Sequence, residues 1–277
     1  MKKNDKNIQT YLGFSEYSQS KIMYDLSSVG YSVVKNVLSS EEVRITVQYL
    51  KKLMDDDIAI YGDSFLRNKG ELGQIRAPIC RDAWFDIFAH SNFVDEILKS
   101  CLYDTSILHL MNGIITSPGF EHNQASFHRD FPKPFVANRP LSINIFYALT
   151  EFNKATGGTW LVPGSHKLVD FPSKSIIEKN KIQLTCGPGD ALVFDSMLIH
   201  ASGINTSEDD RYSLNTQFTL PFVKQQLNMP EFLKICDRQP PDSLVFQRMG
   251  GWTIPPKSVD EFRYGVSGER TYRSNQG

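Results

Sequence analysis

Apolar residues recur at two different periods along this chain, and the change falls near residue 105. Before it the spacing is helical. Tyr17, Ile22, Leu26 and Val29 return about every 3.6 positions and predict a helix over 16–30, ended by Gly30. A short strand over 31–34 follows. Ser39-Ser40-Glu41-Glu42 combines N-cap hydroxyls with early acids, so a second helix begins there, with Val43, Val47, Leu50 and Met54 on one stripe. Residues 58–82 read as irregular and polar, with Arg67, Lys69, Arg76 and Arg81 scattered through them. A third helix is predicted over 83–102, opening on Trp84, Phe85 and Asp86.

After residue 105 the period is two. Candidate strands cover 106–116, 123–130, 141–149, 159–162, 182–186, 191–195 and 211–220, separated by turns rich in Gly and Pro. Asn112-Gly113 fits either a tight hairpin turn or one bulged strand. A block of short strands after a helical section predicts a mainly β fold, a sandwich or jelly roll with α-helices packed outside. In 211–220 the odd positions (Arg211, Ser213, Asn215, Gln217, Thr219) are polar and most even ones apolar. Strand 141–149 divides in the same way, Ser142, Asn144 and Phe146 against Ile143, Ile145, Tyr147 and Leu149. Successive side chains face opposite ways. The apolar faces therefore pack on helices or a second sheet, and the polar faces are either solvated or line a cavity.

Composition adds few constraints. The 277 residues are 40% hydrophobic and 22% charged, with 30 Lys and Arg against 31 Asp and Glu. That near-balance gives no overall field to attract nucleic acid or an anionic membrane. No apolar run approaches the roughly 18 residues of a membrane span, and the basic N-terminus lacks the apolar stretch of an export signal. A cytoplasmic protein acting on a small molecule is expected, with no nucleic-acid or membrane partner. Cys80, Cys101, Cys186 and Cys236 are too scattered for a zinc site and read as reduced thiols. The sequon at Asn205 reads as chance. No linker or repeat divides the chain, so one domain over 1–277 is expected: a helical section at about 16–102, a strand core at about 105–222, and an extension or lid over 223–277.

The chemistry concentrates in four residues. His128 and Asp130 lie at i and i+2 on an extended segment, so both project from one face while Arg129 points away. His200 ends the run that opens after the Gly187-Pro188-Gly189-Asp190 turn. Two imidazoles and a carboxylate are the donor set that holds a ferrous ion on one face and leaves the opposite positions open. Arg211 offers a planar fork suited to a bidentate carboxylate. Together they suggest a metal that activates oxygen beside a bound keto acid. His122 shares the parity of His128 and is an alternative ligand, although Pro118 and Gly119 favour a loop there. His90 and His109 read as structural.

Between and after these ligands stand Gly157-Gly158-Thr159-Trp160-Leu161-Val162-Pro163-Gly164-Ser165-His166-Lys167, then Gly189-Asp190, then His200-Ala201-Ser202, then Arg211. This order resembles the phytanoyl-CoA dioxygenase family of iron(II)- and 2-oxoglutarate-dependent oxygenases, over about residues 24–222. The resemblance implies a double-stranded β-helix of the cupin-like jelly-roll kind, with Fe(II) held by His128, Asp130 and His200. It also implies 2-oxoglutarate and O2 as co-substrates. The C5 carboxylate of 2-oxoglutarate would meet Arg211 with Ser202 alongside, and Asn144, Phe146 and Thr159 would share the pocket. His166 reads as a turn residue. The implied reaction hydroxylates a substrate C–H bond and releases succinate and carbon dioxide. Halogenating relatives carry a small residue where this chain keeps Asp130, so halogenation is not expected. Arg76, Arg129 and Lys133 are candidate contacts to an anionic substrate. Two other classes fit the ligand set: a cupin-like metalloenzyme with no keto acid, and a metal-binding relative without turnover.

Overall fold

The computed structural model describes residues 16–119, 125–131 and 137–264. Helix α1 (Glu16–Ser28) leads into β1 (Tyr31–Val34), and Gly30 makes the corner at φ 90°. Helix α2 (Ser40–Tyr61) starts on a full capping box: the Glu42 amide donates to Ser39 Oγ at 3.2 Å, and Glu42 Oε2 accepts from the Ser39 amide at 2.7 Å. Residues 58–82 are more regular than their polarity predicts. Gly62 ends α2, and α3 (Asp63–Lys69), β2 (Gln74–Arg76) and α4 (Pro78–Arg81) follow. Polar composition here marks short amphipathic pieces, because Leu66, Ile75 and Ile79 are all buried. The helix predicted over 83–102 is two pieces, a 3₁₀ segment (Ala83–Phe88) and α5 (Asn92–Cys101). Ser91 caps the second by accepting from the Val94 amide.

Strand β3 (Ile107–Thr116) runs straight through Asn112-Gly113, so there is no hairpin turn. Its irregularity lies between Leu108 and Leu110 instead. Gly113 is required because α2 crosses there; a Cβ would collide with the Leu50 side chain. Then come β4 (Ser142–Ala148), β5 (Trp160–Leu161), α6 (Lys174–Asn180), β6 (Ile182–Gln183), β7 (Ala191–Asp195), β8 (His200–Ala201) and β9 (Arg211–Thr219). All pairings are antiparallel. Six strands form one sheet in the order β1-β7-β4-β9-β3-β2, and β6-β5-β8 form a smaller one. The architecture is a mainly β jelly roll with helices. In the expected strand 123–130, the described part contributes a single bridge, His128 with His200; residues 120–124 lie outside the described residues, and His122 with them.

Two apolar clusters show which face is which. Ile143, Ile145 and Tyr147 of β4, with Leu214 and Phe218 of β9, pack outward on Leu50, Phe85, Phe88 and Leu98 of the helical layer. Leu192 and Phe194 of β7 and Leu161 of β5 pack inward, between the sheets. The polar parity of β4 and β9 is therefore the lining of the barrel. Helices α7 (Met229–Ile235), α8 (Ser243–Arg248) and α9 (Val259–Tyr264) end the described chain. Met229, Leu233, Val245 and Met249 join the outer cluster, so this part of the extension packs against the helical layer. Cys80, Cys101, Cys186 and Cys236 are free thiols. Asn205 is fully buried and donates to the Thr116 and Asp209 carbonyls, which closes it to a glycan. No described helix is long and apolar enough to cross a membrane.

Candidate metal and keto-acid site

His128 and His200 are β-bridge partners. Each amide donates to the other's carbonyl, at 2.9 and 3.0 Å, so the backbone itself brings the two imidazoles together, tilted at 53° with ring centroids 4.4 Å apart. His200 reaches this place through the turn after β7. That strand is anchored at its start by Asp190, whose buried carboxylate accepts from Lys35 Nζ and from the Asn36 and Gly187 amides. Asp130 is held by the segment after β7: its amide and that of Phe131 both donate to the Ser196 carbonyl.

The rings are oriented by their rear nitrogens. His128 Nδ1 lies 2.8 Å from the Ser126 carbonyl and His200 Nδ1 lies 3.0 Å from the Leu198 carbonyl. Only an N–H can bond a carbonyl, so each Nδ1 carries a proton, and in the neutral ring each Nε2 presents a lone pair. Asp130 Oδ1 stands 3.4 Å from one Nε2 and 3.6 Å from the other. Asn144 Nδ2 donates to Oδ2 at 2.8 Å, leaving Oδ1 free to face the imidazoles. Three ligand atoms thus converge within 4.8 Å of one another, and His128 Nε2 is buried with no hydrogen-bond partner. Converging acceptors repel unless a proton or a cation sits between them, and a divalent metal of intermediate hardness fits this set.

The charges agree. Burial by itself would raise the Asp130 carboxyl, but His200, His128 and the Asn144 amide outweigh it and hold the group below its ordinary value. Burial lowers His200 despite Asp130. Burial also presses His128 down, yet the Asp130 carboxylate beside it more than compensates and leaves it raised.

Arg211 opens β9 and is 2% exposed. Nη2 donates to Thr116 Oγ1 at 3.0 Å and to Ser202 Oγ at 3.1 Å, while Nε and Nη1 have no partner. Its guanidinium carbon stacks 4.7 Å from the centre of the Phe152 ring. No acid among the described residues lies within ion-pair distance of it, and burial pushes it down to about 10. Arg211 shares one cavity with His128, Asp130, His200, Ser202, Phe146 and Thr159.

Other expectations shift. Asn144 does not line this cavity; its amide bridges Asp130 to Asn215, and its oxygen accepts from Ser196 Oγ at 2.6 Å. It supports the Asp130 carboxylate. Arg129 faces away because its parity is opposite to that of His128 and Asp130, and its guanidinium donates to the Leu168 and Val169 carbonyls above the Phe171 ring. Arg76 is paired with Glu71 at 2.6 Å. Neither lines the cavity, and Lys133 lies outside the described residues. Asn215, Ile114, Leu192 and Phe194 line it as well. Parity on β9 points to Asn215; the other three depend on sheet pairing that no local pattern states. His109, read as structural, sits at the β3 irregularity. Burial lowers it, and the Asp130 charge reaches it from inside the barrel.

Comparison with known proteins agrees with this geometry. The family model described as phytanoyl-CoA dioxygenase (PhyH) matches residues 26–213. An uncharacterised protein of Mycobacterium tuberculosis is 34% identical over 267 residues, 94% of this chain and 96% of its own. The dioxygenase af480 of Aspergillus fumigatus is 28% identical over 153 residues, and the match spans 47% of that protein. Among solved structures, EctD from S. alaskensis with 2-oxoglutarate and 5-hydroxyectoine superposes with a TM-score of 0.61 at 19% identity, over 74% of this chain and 76% of that one. The non-heme alpha-ketoglutarate-dependent epimerase SnoN from nogalamycin biosynthesis gives a TM-score of 0.56 at 16% identity, over 74% and 84%. These two likenesses share the jelly roll. With the family model covering its strand core, the chain belongs to the phytanoyl-CoA dioxygenase family.

Proposed function

We propose that this protein is an iron(II)- and 2-oxoglutarate-dependent dioxygenase that hydroxylates an unactivated C–H bond of a small-molecule metabolite, its 277 residues acting as one oxygenase domain. The observation that carries the proposal is Arg211. A buried guanidinium with two unpartnered donor groups and no acid beside it is costly unless an anion arrives, and this one lines the same cavity as three convergent metal ligands. A dicarboxylate keto acid spans the two: one end on the metal, the other on the guanidinium. The 2-oxoglutarate in the EctD structure supports this reading.

His128, Asp130 and His200 would hold the iron, their Nδ1 protons and the Asn144 amide fixing which atoms face it. Bound there, iron(II) would supply activation of oxygen coupled to oxidative decarboxylation of 2-oxoglutarate to succinate and carbon dioxide. Arg211 would bind the distal carboxylate through a charge-assisted pair, with Ser202 and Thr116 holding the guanidinium plane. Phe152 beneath the guanidinium, and Phe146, Leu192 and Phe194 on the cavity walls, keep water away from the reacting centre. Asp130 occupies the position that halogenation requires to be open, which supports hydroxylation.

The test is succinate release in the presence of a panel of candidate metabolites. The reading requires release that depends on both iron and 2-oxoglutarate and that is lost in His128→Ala. Equal rates in wild type and His128→Ala would overturn it. Turnover without 2-oxoglutarate would move the protein to a cupin-like metalloenzyme class.

A further inference from the structure

The molecule holds a second cavity, of about 270 Å³, that shares no lining residue with the first, although Phe131 in one directly follows Asp130 in the other. Its size is close to the lower end for small-molecule sites, roughly 300–1,000 Å³. The C-terminal half of α1 and the end of α5 close one side. The turns 137–142, 165–167 and 195–197 close the other. The walls are largely apolar: Met23, Leu26, Cys101, Leu141 and Met197.

Two buried titratable residues line it. His166 is 8% exposed, and neither ring nitrogen is in hydrogen-bonding geometry with the protein; the Ser27 carbonyl lies near without meeting it. Gly30 makes room for that ring, since a Cβ there would collide with Nδ1. Asp195 is also 8% exposed. One carboxylate oxygen accepts from the Met197 amide at 2.8 Å, and no cation among the described residues lies within ion-pair distance. Burial raises its carboxyl to about 6. Exposed Lys167 and Arg139 line the same cavity, neither in an ion pair with a described acid. Among the described residues the cavity thus has an acid without a cation inside, two cations without an acid at its exposed rim, and apolar walls between.

A simple anion would be attracted at the rim and opposed inside. A simple amine would be favoured inside and opposed on entry. A molecule carrying both charges, positive end inward, matches both. We propose that this cavity is a binding site for a small zwitterion with an apolar body, of the chemistry of an α-amino acid. Its ammonium group donates to the free oxygen of Asp195, and its carboxylate meets Lys167 and Arg139. The inference stands on this cavity and does not need the metal reading.

Binding is tested on the full chain without added iron or 2-oxoglutarate. The standard amino acids are screened singly by ligand-observed NMR, and affinities are measured by calorimetry. At least one apolar amino acid should bind. For leucine the comparison ligands are 3-methylbutylamine and 4-methylpentanoate, each lacking one charge, and both should bind at least tenfold more weakly. Asp195→Asn keeps an acceptor for the Met197 amide, so the turn survives, and it should weaken amino-acid binding at least tenfold. Replacing Lys167 and Arg139 together with Ala should cost leucine about tenfold at low salt, less as salt screens the exposed charges, and should erase its preference over the amine. Met23→Trp fills the cavity from a half-exposed helix position and should abolish binding independently. His128→Ala should leave it unchanged. The proposal fails if no amino acid binds, if affinity survives both Asp195→Asn and Met23→Trp, or if His128→Ala removes it, which would put the ligand in the metal cavity.

Discussion

Arg211→Met separates binding from folding at a single position. Methionine keeps most of the buried stem, and with it the packing on Phe152, while deleting the charge. In the free protein that charge has no acid beside it. Its displacement from 12.5 to about 10 by burial means that the ionised guanidinium is disfavoured by on the order of 3 kcal/mol at neutral pH. Some of this is regained through Thr116 and Ser202, so the ligand-free variant should unfold at the same temperature as wild type or higher. With 2-oxoglutarate the order reverses. Removing one partner of a buried, hydrogen-bonded charge pair costs about 2–5 kcal/mol, which is a loss of roughly 30- to 4,000-fold in affinity. Two assays read the two halves: calorimetric titration of 2-oxoglutarate into iron-loaded protein, and thermal unfolding with and without the keto acid. Iron affinity should be retained. Affinity for 2-oxoglutarate within twofold of wild type, or a ligand-free melting temperature several degrees lower with the 2-oxoglutarate shift intact, would refute the assigned role and make Arg211 a structural residue.

Three further perturbations test other links. Asn144→Ala removes the donor on Asp130 Oδ2 and should weaken metal binding by about 10- to 100-fold with little change in 2-oxoglutarate affinity once iron is saturating; unchanged affinity on metal titration would release Asn144 from this role. Asp195 has a folded-state value of about 6 against an ordinary 3.8, so the folded protein holds its proton more tightly than the unfolded chain. That contribution is full below about pH 4 and is lost as pH rises through 6. Asp195→Asn lacks the loss, and urea unfolding should show its advantage growing from near zero at pH 4 to on the order of 3 kcal/mol at pH 8; an advantage independent of pH would refute the burial argument. Gly113→Ala forces the buried Leu50 side chain to move and should cost about 1–3 kcal/mol in urea unfolding; a neutral result would mean that α2 yields freely at the crossing.

Local rules of the chain were enough for much of this molecule. The capping chemistry at Ser39, the change of period near residue 105 and the parity of β4 and β9 are each decided within a few residues, because caps and side-chain alternation are properties of neighbouring backbone. The pairing of His128 with Asp130 was legible for the same reason. His200 and Arg211 were legible by residue type and order rather than by distance. Long-range pairing is a different matter. The bridge that sets His128 against His200, the bond that turns Asn144 onto Asp130, and the four carbonyls around Arg129 join segments far apart in sequence. The residues 58–82, polar enough to read as loop, became α3, β2 and α4 because β3 offers an edge and the outer cluster accepts their few apolar side chains. What the sequence determined by itself was the inventory of donors and the face each one shares with its neighbours. What only the tertiary structure decided was which donors converge, and which charges are left buried without partners. Convergence depends on sheet register, and burial depends on what the rest of the chain places on top.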